Sequence, residues 1–243
     1  LKPETSHNTS VGVAFYPTGG LSITADYYKI NIKDRIVLSG TFNQKAVTDF
    51  LLAQGFQGIG GARFFTNAID TRTAGFDLVA GYGFPVLKGG NVRLTAGFNH
   101  TKTEVSHVEA TPGVLAAFSE TLFDRVERVR IEKGQPTDNL NVSGILTKGA
   151  WTFNYHAQRF GEVTSFGTLT DGSLDQTFRA KWVSDASVSY THNRTLTFMI
   201  GADNIWDVYP DRNNNNGPIA TNPATSNGGN GNFGIFPYNG ISP

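Results

Sequence analysis

The chain has 243 residues, 39% of them hydrophobic, with 20 basic and 20 acidic side chains and no cysteine. Because the formal net charge is zero, no overall positive field would attract a polyanion, and we expect no nucleic-acid partner. The absence of cysteine excludes disulfide scaffolds and thiolate metal sites, and it suits the periplasm or the outer membrane. No apolar run reaches the roughly 18 residues that a membrane-spanning helix needs, which excludes an inner-membrane helical protein.

The first half of the sequence predicts two β-hairpins, because hydrophobic and polar residues alternate along it with the period of a strand. The first hairpin pairs residues 9–17 with 21–36 across a glycine turn, and the second pairs 62–84 with 91–105. Between them, one apolar stripe predicts an amphipathic helix that ends at Gly55, formed by Val47, Phe50, Leu51 and Gln54. We expect this helix to pack on neighbouring loops rather than to cover a substrate as a lid.

The second half predicts two further hairpins, which pair residues 139–147 with 151–163 and residues 178–191 with 195–210. Charges alternate along residues 123–134, which indicates a solvated face. Residues 210–234 are rich in Asn and Gly, but Asn216 and Asn222 stand where an EF-hand needs Gly and Glu, and Asn232 stands where a repeat-in-toxin loop needs Asp. We therefore expect a flexible extracellular loop there and no calcium site.

The turns within the predicted hairpins are short and the connections between them are long, which is typical of an outer-membrane barrel. We predict an all-β fold, an antiparallel up-and-down transmembrane β-barrel segment of about eight strands over residues 1–243. Beside the short turns, an interfacial aromatic girdle would comprise Phe15, Tyr82, Trp151 and Tyr190. The predicted lipid-facing side chains are Leu94, Phe98, Phe153, Phe198 and Ile200. The predicted lumen-facing side chains are Thr95, Asn99, Asn154, His156, Thr197 and Asp203.

Six segments, in order, resemble the C-terminal half of the barrel of a TonB-dependent outer-membrane receptor, and the resemblance spans essentially the whole chain. The segments are "LKPETSHNTSVGVAFYP", "LSITADYYKINIKDRIV", "TRTAGFDLV", "WTFNYHAQRFGEV", "KWVSDASVSYT" and "LTFMIGADNIWDVYPD". The last contains "ADNIWDVYPD", which is similar to the family's G-A-x-N-[LI]-[FW]-D-x-Y-P run on the penultimate strand. In that run the Asn and the Asp are expected to bond the backbone where the strand leaves the membrane.

The resemblance implies a barrel of 22 strands, of which the eight predicted here would be strands 14 to 21, with a plug domain in the lumen. It implies a place in the outer membrane of a Gram-negative bacterium, in contact with lipid and lipopolysaccharide. It further implies that the receptor imports a small-molecule nutrient or metal chelate, most of all a ferric siderophore, with energy that TonB supplies through the plug. It implies no catalysis and no bound cofactor. The sequence shows neither the family's plug nor its closing strand, which usually ends in an aromatic residue. We therefore expect a fragment that cannot transport a substrate by itself.

An anionic chelate would be bound by cations and aromatic rings that converge near the extracellular strand ends. The candidate ligand-binding residues are Arg159, Phe160, Arg179, Trp206, Tyr209 and His156. In the alternative interpretation, these residues form the upper aromatic girdle and the arginines reach lipopolysaccharide phosphates. The five histidines show no metal-ligand spacing, and we expect neither a metal site nor a catalytic histidine.

Two other classes of protein remain open from the sequence. An outer-membrane barrel hydrolase with a site at the extracellular rim would need a convergent Ser/His/Asp set, and the sequence has no G-x-S-x-G segment. A soluble β-sandwich binding module would bury its apolar strand faces in a core.

Overall fold

The computed structural model describes residues 1–86, 89–110, 113–167 and 171–211. Most of them form one antiparallel sheet of eight strands in the order β1-β2-β3-β4-β5-β6-β9-β10, with β1 and β10 at its two edges. This up-and-down order confirms the predicted fold class. The strands are β1 (Thr5–Phe15), β2 (Leu21–Leu38), β3 (Phe65–Val86), β4 (Gly90–Val108), β5 (Asp138–Lys148), β6 (Trp151–Phe160), β9 (Lys181–His192) and β10 (Leu196–Ala202).

The remaining elements lie in the long connections, all at the same end of the sheet. They are α1 (Lys45–Ala53), a 3-10 helix (Gly113–Phe118), α2 (Ser119–Leu122), α3 (Arg125–Lys133) and a two-stranded ribbon of β7 (Val163–Ser165) and β8 (Gln176–Phe178). The predicted amphipathic helix is confirmed as α1, with Val47 buried and Gly55 just beyond its end at φ +93°. Within the described ranges, no helix has the length and apolar character to cross a bilayer.

One expectation about local structure was wrong. The last strand ends at Ala202 rather than at residue 210, because Asn204 and Asp207 adopt positive φ angles of 48° and 50° that turn the chain out of the sheet. The charged segment lies in the helix α3, in which Arg128 and Arg130 are exposed as expected while Val129 is buried. The predicted Asn-rich loop falls almost wholly on residues 212–234, outside the described residues.

The short turns explain why the hairpins close tightly. At the β9–β10 turn, Asn193 and Arg194 both have positive φ angles, 47° and 61°, and the Thr195 N–H donates to the His192 carbonyl at 3.0 Å. Two central residues of positive φ define a type I′ turn, whose twist matches that of the flanking strands. At Gly20 (φ +87°), a Cβ would lie 2.2 Å from the Gly83 carbonyl oxygen, so only glycine fits.

The register divides the sheet into two faces, because residues directly opposite each other on antiparallel strands point to the same side. One row across β1 to β5 is Val13, Ala25, Leu78, Phe98 and Leu140. The predicted division is confirmed: one face carries Leu94, Phe98, Phe153, Phe198 and Ile200, and the other carries Thr95, Asn99, Asn154, His156 and Thr197. Asp203 lies beyond the end of β10.

The apolar face of the sheet is open. Val11, Val13, Phe198 and Ile200 expose 67%, 65%, 64% and 73% of their surface, and no second sheet covers them in the described part of the chain. A soluble sandwich would bury these side chains, so the open face favours the barrel segment. Along β3, the apolar stretch from Ala74 to Phe84 covers ten residue steps, about 33 Å at ~3.3 Å per residue. Tilted by about 40°, it would span about 25 Å, the height of the apolar band of an outer-membrane barrel.

The main buried core lies at the loop end of the sheet, where the long loops pack on the ends of β3 and β4. Phe42 and Leu122 are 1% exposed, Ile69 is fully buried, and Val105 is 6% exposed. This core also contains Val47, Ala68 and Phe123, with Leu51, Phe64, Leu115 and Phe118 packed against it. Loops 39–64 and 109–137 therefore form one folded unit above the strand ends.

Candidate functional site

The centre of the polar face holds a hydrogen-bonded group on three neighbouring strands. The Asn99 amide donates to the Asp77 carboxylate at 2.6 Å and to the Tyr28 hydroxyl at 3.4 Å, while its carbonyl accepts from the Thr101 hydroxyl at 3.2 Å. Tyr28 and Thr101 also share a hydrogen bond. Asp26 stands directly opposite Asp77 in the register, so this part of the face is acidic.

A second polar group lies on β6 and β9. His156 Nδ1 is 3.4 Å from the Asp185 carboxylate, and the Asn154 amide donates to the Ser187 hydroxyl at 3.1 Å. The other Asp185 oxygen accepts from the Asn204 N–H at 2.8 Å. Asp185 therefore connects the histidine to the turn that ends β10.

That turn contains the segment that carries the family resemblance. The Asn204 side chain accepts from the Val208 N–H at 2.9 Å and donates to the Val208 carbonyl at 3.1 Å, so it closes the turn on itself. The Asp207 carboxylate accepts from the Tyr209 hydroxyl and raises the pKa of that phenol. The expected bonding of Asn204 to the backbone is thus confirmed.

The loop end of β9 carries a cluster of cations on one carboxylate. Asp211 accepts from Lys181 Nζ at 2.7 Å, from the Arg179 N–H at 2.8 Å and from Arg179 Nε at 3.2 Å. These donors, Lys181 foremost, hold the pKa of the Asp211 carboxyl well below its usual range. The Arg179 side chain remains 81% exposed, so its guanidinium is accessible to an anion from outside.

An ion pair connects two of the long loops. Arg125 on α3 makes two hydrogen bonds to Asp175, at 3.0 and 2.6 Å, and its guanidinium lies 4.2 Å from the centre of the Phe166 ring. It also donates to the Gly167 carbonyl at 3.0 Å. Loops 39–64 and 109–137 already share a buried core, and Asp175 belongs to the loop after β6. The ion pair therefore joins a third consecutive loop to that unit.

The six predicted ligand-binding residues do not form one group. His156 and Phe160 lie on the polar face, whereas Arg159 stands opposite Leu140 and Trp182 on the apolar face. Arg179 lies at the loop end, and Trp206 and Tyr209 follow β10 with 69% and 52% of their surface exposed. A ligand role for each of the six stays a prediction. In the described ranges, no three His, Asp or Glu side chains group as a metal site would require.

Sequence reasoning missed α3 and the ion pair that it makes. One available signal was Asp124 followed three residues later by Glu127, which is an N-terminal capping pattern. The Asp124 carboxylate accepts from the N–H groups of Val126 and Glu127, both at 2.9 Å. No sequence signal pairs Arg125 with Asp175, because the two lie in separate loops without periodicity.

Comparison with protein families resolves the class. The profile of the TonB dependent receptor-like β-barrel family matches residues 1–205. The chain belongs to the TonB-dependent receptor β-barrel family. This is a family of transporters and not of enzymes, and its characterised members reside in the outer membrane of Gram-negative bacteria. No curated protein sequence matches the chain.

Solved structures of TonB-dependent receptors share the fold at low sequence identity. The FrpB iron transporter from Neisseria meningitidis (F3-3 variant) is 17% identical over 85% of this chain and 28% of its own, with a TM-score of 0.58. The copper transporter OprC is 18% identical over 85% of this chain and 26% of its own, with a TM-score of 0.55. The ferripyoverdine receptor of the Pseudomonas aeruginosa outer membrane is 16% identical over 88% of this chain and 25% of its own, with a TM-score of 0.54. The present chain therefore spans about a quarter of the length of these relatives.

Proposed function

We propose that residues 1–243 form the C-terminal part of the barrel wall of an outer-membrane receptor that imports a ferric siderophore. The observation that carries the proposal is one sheet with a continuous exposed apolar face and a hydrogen-bonded polar face. An exposed apolar face of this height requires lipid, and a polar face suits a wet lumen. TonB would supply energy through a plug domain in that lumen, as in the family.

The choice of substrate is supported by the chemistry of the loop end and by the similar structures. Ferric siderophores are often anionic, and Arg179 presents an exposed guanidinium beside Lys181, with Trp206 and Tyr209 exposed after β10. Guanidinium groups bind carboxylate and catecholate oxygens in forked geometry, and flat rings supply apolar contact. Two of the similar structures are an iron transporter and a ferripyoverdine receptor, although another is a copper transporter.

We propose His156 and Phe160 as ligand contacts on the lumen side and Arg179 as a contact at the rim. For Arg159, Trp206 and Tyr209, a place in the upper aromatic girdle is the competing role. The register favours the girdle for Arg159, because it shares the apolar face with Trp182.

The test is uptake of radioactive iron by cells that produce the full-length receptor in a strain without its other siderophore receptors. A panel of catecholate, hydroxamate and carboxylate ferric siderophores should give uptake of at least one member in TonB-positive cells and none in cells without TonB. Copper chelates in the same assay serve as the competing substrate class. Uptake of copper alone would reject the siderophore, and TonB-independent uptake would reject the energised mechanism.

A further inference from the structure

The polar face of the sheet changes in charge between its loop end and its turn end. The half nearer the loops contains the carboxylate of Asp77, and the row with His156 and Asp185 lies near the middle. Two rows follow before the turns, one with Arg93 and one with Asn91. Among the described residues of these two rows, Arg93 is the only charged side chain, and most of the others are Ser, Thr, Asn or Gly. The part of this face nearest the turns is therefore basic.

Nothing near Arg93 neutralises its charge. Arg93 is exposed, and in the described part of the chain no carboxylate lies at ion-pair distance from it. Asp77 precedes Gly83, the residue opposite Arg93, by six positions on β3, which is about 20 Å along the strand. Asp185 lies three strands away and one row higher, about 14 Å across the sheet. Both separations exceed the screening length of about 8 Å at physiological salt, so the guanidinium charge is available to a ligand in the lumen.

The wall beside Arg93 is recessed. Gly81 and Gly83 occupy consecutive polar-face positions on β3, and glycine often stands where a ligand approaches the backbone closely. A cavity of about 430 Å³ lies there, and its lining includes Gly83, Asn91, Arg93 and Thr147. Asn91 and Thr147 stand opposite each other one row nearer the turns, and neither side chain has a hydrogen-bond partner within the described ranges. We call Asn91, Arg93 and Thr147 the lower lumen site.

The chemistry of the lower lumen site favours an anion. The Arg93 guanidinium can donate two parallel hydrogen bonds to carboxylate or catecholate oxygens, and the Asn91 amide and Thr147 hydroxyl can donate to further oxygens. The site has no acidic group that would bind a cation. It is also distant from the cations at the loop end: Lys181 shares a row with Asn99, which lies six residues from Arg93 on β4, about 20 Å along the strand. The lower lumen site is therefore separate from the group around Arg179 and Lys181.

We propose that the lower lumen site is a second binding site for an anionic ferric chelate, which occupies it after leaving the loop end and before release. The inference rests on the proposed import of a ferric siderophore. Short turns lie on the periplasmic side of such barrels, so a chelate reaches Arg93 late in its passage. Arg93 is then a specificity-determining residue of the transport step, which favours negatively charged chelates over neutral ones. A carboxylate of the plug domain is the competing occupant.

The test uses the full-length receptor in cells without other siderophore receptors. The probes are radioactive iron bound by an anionic tricatecholate, by an anionic carboxylate siderophore and by a neutral trihydroxamate. Surface binding is measured in cells without TonB, and the initial rate of uptake at saturating chelate is measured in cells with TonB. Arg93→Gln is compared with Lys148→Gln, which removes a cation at the same end of the sheet but on the apolar face.

Surface binding should be the same in the wild type and in both variants. Uptake of an anionic chelate should fall about tenfold in Arg93→Gln alone, because the charge-assisted hydrogen bonds of the guanidinium are lost. Arg93→Lys keeps the charge and loses the fork, so its uptake should lie between those of Arg93→Gln and the wild type. Uptake of a neutral trihydroxamate, where the wild type imports one, should change little.

The outcomes separate this inference from the proposed function. Equal uptake of anionic chelates by the wild type and Arg93→Gln, at matched amounts of folded receptor, would overturn the second site and leave the transporter intact. Import of neutral chelates alone, or a loss of surface binding in Arg93→Gln, would also overturn it. If Arg93→Gln made cells without TonB sensitive to large antibiotics, Arg93 would hold the plug instead. Absence of TonB-dependent uptake of every chelate by the wild type would reject the proposed function itself.

Discussion

Arg125 and Asp175, fifty residues apart, join the loop after β4 to the loop after β6 through two parallel hydrogen bonds. Both side chains are about one quarter exposed, and the Arg125 guanidinium lowers the pKa of the Asp175 carboxyl. A forked ion pair in this setting is stronger than a typical surface pair. The loop after β6 is therefore held to α3 rather than free above the barrel.

We expect Arg125→Lys to loosen residues 161–180 without unfolding the barrel, because lysine keeps the charge and loses the fork. A double-mutant cycle with Asp175→Asn should give a coupling energy of about 1–2 kcal/mol. Hydrogen exchange of that loop in the full-length receptor measures the effect. Lys45→Gln, which breaks the exposed Lys45–Asp49 pair, is the control and should change nothing in this loop. Equal exchange in wild type and Arg125→Lys would contradict the role of the fork.

Asp211 should protect the chain around Arg179 from proteolysis. In Asp211→Asn the hydrogen bonds from Lys181 and Arg179 lose their charge assistance, so trypsin should cut after Arg179 several times faster at neutral pH. Asp203→Asn, an exposed carboxylate nearby, is the matched control. Because its donors lower the Asp211 pKa, the stabilisation is complete above an ordinary carboxyl pKa of about 3.9 and is lost only as the pH falls through the depressed value. Loss of protection already at pH 5 would contradict this account.

Adjacent residues on β4 should respond oppositely to arginine. Leu94→Arg places a cation against lipid, which costs roughly 2–4 kcal/mol at the bilayer midplane, whereas Thr95→Arg places it on the polar face. We expect the first variant to assemble poorly and the second nearly normally. The fraction of heat-modifiable, folded receptor in outer membranes is the measurement. Equal assembly of the two variants would show that the faces are assigned wrongly.

Asn204 should stabilise the end of β10 through its side chain. Asn204→Ala removes both hydrogen bonds to Val208 and strains a backbone at φ 48°, for a loss of about 1–3 kcal/mol. Asn204→Gly keeps the backbone angle and removes only the side-chain bonds, so it should cost less. Thermal unfolding of the full-length receptor should rank the wild type above Asn204→Gly and Asn204→Gly above Asn204→Ala. If Asn204→Ala unfolded at a higher temperature than Asn204→Gly, the positive φ angle would not explain the loss of stability.

Ligand binding should separate the predicted site residues by face. We expect His156→Ala and Arg179→Ala to weaken siderophore binding about tenfold each, and Arg159→Ala to leave it unchanged, because Arg159 stands on the apolar face. Affinity is measured on cells with matched surface abundance of the receptor. Unchanged affinity in the first two variants would remove them from the site, and a loss in Arg159→Ala would return that residue to it.

The strands were predictable and the loops largely were not, for a physical reason. In a strand with one face in lipid, apolar and polar residues must alternate. The faces on which Leu94 and Thr95 lie can therefore be predicted from a few neighbouring residues. The loop contacts join residues far apart, such as Arg125 and Asp175 or Gln44 and Thr121, whose hydrogen bond is 2.9 Å long. Nothing local specifies such pairs. Among the candidate site residues, the alternation correctly predicted that His156 lies on the polar face. The cluster around Asp211 could not be predicted, because it depends on where the chain turns after β10.

The shared core of the loops constrains how the outer surface of this protein can change over generations. Here Phe42 in one loop and Leu122 in another lie in the same buried cluster, together with Val105 at the end of β4. A substitution at any of these positions must be accommodated by the others, so the interiors of loops 39–64 and 109–137 should diversify together. Exposed positions such as Leu52 and Phe56 are free of that constraint and can vary one at a time.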